Sequence, residues 1–553
     1  MASSPAPTDR EQVALKVFGI PELAHLICDI TQKRDHANLM QVCRELFHST
    51  LPFVWKEVDR PDILVSMIPG GGIVTYESEV APYVVMHLPA SLDLSRFSIY
   101  APHVKRLTLS LMNVDAYDDW ERFLACTRSV DLLPNLETIY FPPEISEYST
   151  KSGKVETDSV NWAIAFLSSS LQTLLQAPLK VAHPVRGTRP LWLDWDSFDN
   201  LMTSIAQKCP RLSSLSVLPA QVKPTGLPDY WGYRLAPRIV FACDSPETYS
   251  SFLQLSSLTT LLISAAILCP EGLDALSGLP RLESLYVVGW ENDLQVYGER
   301  LQIPTEAFPA LRHLELNRLT WDTVFNLCST KPLVNQLQSL SIMSPYNHWN
   351  GYPHDVTSKG LSDVIPLLAT HSPSVTTLTL HDYGCKQPSP ELLNVWKRLP
   401  LVSLQLGWTV LYGCGFDVLC SILSCLPLLE SLLLSMIQEP FELEHMRTIV
   451  ELLPRLRRLQ IPVRWDCITQ LTGADFTPCR SQTPSLLRVT SNFHLPESQE
   501  KGASQLARYL SILRPTAPVI CESFEDLFYH SSGYIGEEPK NMINAELSRL
   551  WLK

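Results

Sequence analysis

The phrase P-x-L-x-x-L-x-L recurs through most of this chain, and nothing else in the sequence restricts the fold so tightly. It reads "PHVKRLTL" at 102–109, "PNLETIY" at 134–140, "PRLSSLSV" at 210–217 and "PRLESLYV" at 280–287. It continues as "PALRHLEL" at 309–316, "PSVTTLTL" at 373–380, "PLLESLLL" at 427–434 and "PRLRRLQI" at 454–461. Looser copies stand at 170–176, 257–263, 336–342, 400–406 and 484–490. Side chains alternate along a strand, so the last two leucines of each copy share one face, and the proline stops whatever helix precedes them. Those helices are legible. "SPELLNVWKRL" at 389–399 carries Leu392, Leu393, Val395, Trp396 and Leu399 as its apolar set, and "FELEHMRTIVELL" at 441–453 puts Leu443, Met446, Val450 and Leu453 on one stripe.

Each unit is therefore helix, proline, strand, and no unit can bury its leucines alone, so neighbours must stack. From residue 280 the usual interval is about 24–30 residues, the range of leucine-rich repeats. The expected fold is α/β: a leucine-rich-repeat solenoid (horseshoe) of short parallel strands and helices over 101–495, interrupted by an insertion near 221–250. Residues 61–100 read as a linker into it and 1–14 as a disordered N-terminus. A C-terminal cap is expected over 496–553, where Ile543, Leu547, Leu550 and Trp551 fall at helical spacing.

Flanking the inward leucines are side chains that must line the opposite face of the strands. These are Ser284 and Tyr286, His313 and Glu315, Ser339 and Ser341, Thr377 and Thr379, Ser403 and Gln405, Ser431 and Leu433, Arg458 and Gln460. Most are small and polar. Aromatics follow the strands instead: Trp290, Trp321, Trp349, Trp408 and Trp465, with Tyr346 in one long loop and Asp382 and Tyr383 in another. Loops that present aromatics supply most hot spots of protein recognition, so this rim is the expected target-binding surface. The opposing expectation for any one of these tryptophans is that it folds inward and plugs the edge of the array.

The formal net charge is −13, which opposes general binding to nucleic acid or to an anionic membrane, since both need clustered cations. The densest basic set, Arg455, Arg457, Arg458 and Arg464, reads as a solvated face. The 14 cysteines contain no C-x-x-C pair and read as small buried hydrophobes, leaving no metal site to expect. No N-x-S/T sequon occurs and "MASSPAPTDREQ" has no apolar run, which together place the chain in the cytoplasm or nucleus. "PGGGI" at 69–73 has the glycines but not the sequel of a phosphate loop and reads as a turn, and "HDYGC" at 381–385 is one short loop rather than a triad. No catalytic residues and no cofactor are expected; the chain reads as no enzyme.

One segment stands apart from the repeat. "VFGIPELAHLICDI" at 17–30 gives a short helix entered at Pro21, with Leu23, Leu26, Ile27 and Ile30 on one face. A second stripe follows, of Leu39, Val42, Cys43, Leu46 and Phe47, and a third helix is entered at Pro52, with Val54, Trp55 and Val58 apolar. Three helices in so short a span cannot build a large core, so their apolar faces must bury on the first repeats or on another protein. The stretch "IPELAHLICDI…NLMQVCRELFHSTLPFVWKEV" resembles an F-box: a Pro-Glu-Leu opening, an apolar helix, Val-Cys-Arg with an aromatic, then Trp. With repeats behind it, the chain is similar to the leucine-rich-repeat F-box proteins, above all the fungal sets, where "RFSIYAPHVKRLTL" at 96–109 resembles the link into the repeats. The resemblance implies a small three-helix F-box over 15–60 and a role as substrate receptor of a Skp–cullin–F-box ubiquitin ligase. The box would dock a Skp-type adaptor, and through it a cullin, by Pro21, Glu22, Leu23, Ile27, Val42, Cys43, Phe47 and Trp55. The repeats would hold a target protein. The alternative is a leucine-rich scaffold or inhibitor with no ligase link.

Overall fold

Alternation decides which side chains face inward, and the strand Ser284–Val288 does this residue by residue: Leu285, Val287 and Val288 are buried while Ser284 and Tyr286 are half-buried. The computed structural model describes residues 16–17, 20–77, 82–109, 114–141, 144–145, 152–176, 188–189, 191–223, 238–241, 246–289, 296–297, 303–343, 359–381, 390–407, 416–434, 440–470, 476–479, 485–493, 499–523 and 537–551. Its chain divides into two units, one of Met1–Gln221 with Cys243–Leu261, the other of Val222–Ala242 with Leu262–Lys553.

The first unit opens with helices α1 (Pro21–Ile30), α2 (Lys33–Leu39) and α3 (Arg44–Trp55). They run straight into a two-residue strand, Glu57–Val58, which pairs in parallel with Arg106–Thr108. The ladder therefore starts ahead of residue 101, inside the segment expected to be purely helical. It continues in parallel through Thr138–Phe141, Thr173–Gln176 and Ser214–Pro219. Parallel neighbours need a crossover, and the helices Trp120–Thr127, Ser152–Phe166 and Trp195–Lys208 provide it. Trp162 is fully buried between them, edge-on to Trp120 at 4.8 Å and stacked on Phe166 at 5.9 Å. Residues 61–100 are more than a linker. They form a helix, Pro61–Val65, and an antiparallel hairpin of Gly72–Tyr76 with Tyr83–His87, whose second strand pairs with Ala116–Asp118. The turn expected of "PGGGI" is there, with Gly70 and Gly72 at φ of 85° and 148°, values that a side chain would oppose.

In the second unit nine strands follow one another in parallel order: Ser284–Val288, His313–Asn317, Ser339–Met343, Thr377–His381, Ser403–Leu406, Ser431–Leu434, Arg458–Gln460, Leu487–Ser491 and Val519–Ser523. Their register puts Leu285, Leu314, Leu340, Leu378, Leu404, Leu432 and Leu459 side by side, followed by Val489 and Cys521, all buried. The helices between strands bury their own stripes, as in Leu443, Met446, Ile449 and Val450 of Leu443–Leu452. Gln221–Lys223 and Arg238–Val240 pair as a small separate sheet, and the residues between them lie outside those described.

The ninth strand, Val519–Ser523, lies within the segment expected to be a cap. The closure is the helix Glu537–Trp551, whose Asn544 takes both backbone polar groups of Cys521 at the middle of the strand: its Oδ1 accepts from the Cys521 N–H and its Nδ2 donates to the Cys521 carbonyl, each at 2.9 Å. A strand edge left open is a template for unwanted pairing, and the carboxamide blocks the middle of this one. Asn544→Ala is expected to cost about 1–3 kcal/mol. Faster hydrogen exchange confined to Val519–Ser523 and its neighbour strand would report it.

Candidate functional site

Two surfaces of this chain face away from its own core, and they are built differently. The first belongs to α1. Its inward side chains are small, Ala24 and Cys28, which lets α1 lie close on α3, where Leu46, Thr50 and Leu51 are buried. Between them sits His36 of α2, buried, with Nε2 at 2.7 Å from Thr31 Oγ1 and 2.9 Å from the Cys28 carbonyl oxygen. The large apolar residues point the other way. Leu23 is 39% exposed, Leu26 62%, Ile30 85%, and Val42, at the start of the turn into α3, 68%.

The eight residues implied by the F-box resemblance divide accordingly. Glu22, Leu23 and Val42 are at the surface, Ile27 is half-buried along the edge of the same helix, and Pro21 occupies the first helical position. Cys43 caps α3 and is half-buried. Phe47 and Trp55 turn instead toward Tyr100, at ring distances of 6.4 Å and 4.8 Å, and fasten α3 to the segment that leads into the ladder. Leu26 and Ile30, outside the implied set, are the most exposed residues of the apolar stripe on α1. Their helical spacing with Leu23 was the available signal.

The second surface is the outer face of the second unit's sheet. Opposite the column of leucines run two columns of half-buried or exposed side chains, Ser284, His313, Ser339, Thr377, Ser403, Ser431 and Arg458 in one and Tyr286, Glu315, Ser341, Thr379, Gln405, Leu433 and Gln460 in the other. Inward leucines in unbroken parallel register, with helices between most of the strands and a proline ahead of most of them, fix the architecture. The ladder is a leucine-rich repeat.

No protein-family model matches the chain and no curated protein matches it. Among solved structures, the leucine-rich repeat-containing protein LegL7 from Legionella pneumophila is 13% identical, over 74% of this chain and 98% of its own, with a TM-score of 0.32. TLR13, in its complex with ssRNA13, is 15% identical over 80% of this chain and 60% of its own, with a TM-score of 0.29. The assignment to the repeat class rests on the register of this chain's own strands.

Of the strand-exit residues expected to bind a target, Trp290, Tyr346, Trp349, Asp382, Tyr383 and Trp408 lie outside the described residues. Trp321 and Trp465 do not form a rim. Trp321 is the first residue of the helix Trp321–Ser329 and only 6% exposed. Trp465 is 2% exposed, stacked on Phe493 at 5.0 Å, and its Nε1 donates to Ser491 Oγ at 3.2 Å. Both strands are left by short connections that pass at once into a helical turn, so the ring closes the end of the core rather than reaching outward. At the exit of Thr377–His381 the imidazole of His381 is pushed down to about 4 by burial and stays neutral near pH 7, beside Gln405 Nε2 at 3.3 Å. The Gly407 backbone presses against that ring, leaving no room there for a side chain.

Proposed function

We propose that this chain is a non-catalytic substrate receptor of a Skp–cullin–F-box ubiquitin ligase, with α1 docking the Skp-type adaptor and the repeats holding a target protein. The observation that carries the reading is the orientation of α1. A helix of ten residues turns its two small apolar residues inward and presents Leu23, Leu26 and Ile30 to solvent, an arrangement that costs stability unless a partner covers it. Ten residues are also too few to hold a helix without tertiary support, and α3 supplies that support from the opposite side. The resemblance of "IPELAHLICDI" to the F-box opening supplies the identity of the partner.

Co-expression with a Skp-type adaptor tests this directly. The expected result is a one-to-one complex on size exclusion that is absent when residues 1–60 are removed. If the intact chain elutes free of adaptor, the chain is a repeat scaffold without a ligase link. For the target side, Tyr346→Ala with Trp349→Ala is expected to reduce capture of the target at least tenfold while the adaptor complex survives. Proteasome-blocked cells, with target recovery scored by mass spectrometry against wild type, provide the comparison; equal recovery would remove these two residues from the target surface.

A further inference from the structure

The outer face of the second unit's sheet is uncharged from Ser339–Met343 to Ser431–Leu434, with Glu315 on one side of that span and Arg458, Arg488 and Glu522 on the other. Glu315, on His313–Asn317, is half-buried and has no hydrogen-bond or ion-pair partner among the described residues. Burial raises its carboxyl above the usual range, so its ionised form is poorly solvated where it stands. The next four strands place only uncharged side chains outward, Ser341, Thr379, Gln405 and Leu433 in the column of Glu315. Then comes Arg458, exposed and likewise without a side-chain partner among the described residues, set directly across from Arg488 by the register of their strands. Like charges in directly opposite positions repel. Arg488 is answered by Glu522 of the following strand at 2.7 Å, which leaves Arg458 as the cation with nothing to meet.

A half-buried carboxylate and an unanswered guanidinium on one face, with neutral floor between, form a matched pair of charges for a ligand of opposite polarity. Five strand-to-strand steps separate His313–Asn317 from Arg458–Gln460, and at ~4.8 Å a step that is about 24 Å. An extended polypeptide covers this in about seven residues at ~3.4 Å each.

We propose that the partner of this face is an extended polypeptide segment laid across the strands, with a Lys or Arg seated on Glu315 and, about seven residues along, an Asp or Glu seated on Arg458. Small hydroxyl side chains between the two charges suit a backbone lying flat, since they admit it closely and can donate to or accept from its amides. The proposal gives chemistry to the target-binding half of the function proposed above and rests on that reading for its biological setting, while its test depends on neither adaptor nor ligase.

Random twelve-residue peptides displayed on phage are panned against the purified full-length chain, and the enriched sequences are synthesised with a fluorescent label. Enriched peptides are expected to share a basic and an acidic residue six to eight positions apart. Glu315→Gln and Arg458→Gln, both conservative in size, should each weaken a selected peptide about tenfold, and Glu315→Lys with Arg458→Glu more than a hundredfold. Exchanging the two charges in the peptide should restore binding to that double variant and abolish it on wild type, a rescue that a folding defect cannot imitate. The idea is overturned if no peptide is enriched, if enriched peptides lack the spaced pair, or if charge exchange gives no rescue. Adaptor co-purification of the same variants separates the two questions: its loss on wild type would end the ligase reading and leave the charge pair standing.

Discussion

Leu26→Lys combined with Ile30→Lys is expected to weaken adaptor binding by at least a hundredfold and to leave folding unchanged. The two residues are the most exposed of the α1 stripe, so the free chain gives up almost no burial when they are replaced. Substitutions of this kind stay within ~0.5 kcal/mol of wild-type stability. Lysine is the right replacement at these positions. Glu22 stands four residues before position 26, the favoured order for a helical ion pair, and position 30 is in the last turn, where a cation suits the helix dipole. In the complex the cost is different. Fully burying a Leu or Ile side chain contributes about 1.5–3 kcal/mol, so losing two removes about 3–6 kcal/mol, or two to four orders of magnitude in Kd. Isothermal titration with the adaptor reads that loss, and a thermal melt checks the fold. Ala24→Asp supplies the contrast, since it places a charge between α1 and α3 and should unfold the helical segment while leaving the outward stripe intact in sequence. A double-lysine variant that binds as wild type would show that α1 is not the docking helix.

The contrast between Ala24 and Leu26 also shows what a sequence of this kind conceals. The apolar stripe of Leu23, Leu26, Ile27 and Ile30 is visible in the periodicity, but periodicity does not say whether a stripe faces the chain's own core or a partner. Here close packing against α3 requires small residues, so Ala24 and Cys28 go inward and the larger ones are left outside. The repeats raise no such ambiguity. With nine parallel strands in register, the only face available to Leu314 or Leu378 is the one that meets the helices, and alternation alone predicts it.

Where the sequence misleads, the missing signal is a side-chain pattern. Glu57–Val58 is too short to alternate, and Val519–Ser523 brings Val and Cys to inward positions where leucine marks the other repeats. The hairpin at Gly72–Tyr76 and Tyr83–His87 has the β-branched residues of strands but sits where repeat spacing alone suggests a linker. Trp321 and Trp465 follow strands as rim residues would, and their position after the strand says nothing about the direction of the ring. That direction depends on how soon the chain turns into its next helix. On the outer sheet face the residue types were readable, but the pairing state of Glu315 and Arg458 needed the register and the neighbours.

Arg514→Met is expected to be the most destabilising single change in the second unit. Arg514 ends the helix Gln499–Leu513 and is fully buried, a placement rare for arginine. Its Nη2 donates to the Leu456 carbonyl at 2.9 Å and to that of Leu453 at 3.3 Å, and its Nη1 donates to that of Pro454 at 3.3 Å. Those carbonyls belong to the end of Leu443–Leu452 and the turn into Arg458–Gln460, where the helix leaves acceptors unpaired and carries its negative pole. One guanidinium thus completes the C-terminus of a helix two repeats back. Burial lowers its pKa from the usual arginine value, yet the charge persists, because arginine starts so far above neutrality. Methionine fills much of the volume but donates nothing, so the Pro454 and Leu456 carbonyls lose this donor while that of Leu453 keeps the Leu456 N–H at 3.1 Å, and each buried acceptor deprived of its donor costs about 1–3 kcal/mol, part of which water entry can recover. A net loss of about 3–5 kcal/mol follows. Arg514→Lys should recover less than half of it, since a single ammonium cannot span the three acceptors as a planar fork does. Arg508→Met on the same helix is the control: its side chain is exposed over the Phe476 ring at 4.7 Å, and about 1 kcal/mol is at stake. Repeat arrays lose stability locally, so hydrogen exchange should accelerate over Leu443–Leu452, Arg458–Gln460 and Gln499–Leu513 and leave Ser284–Val288 protected. If exchange rises evenly along the whole ladder, the arginine supports the array as one cooperative block and not the single repeat it caps.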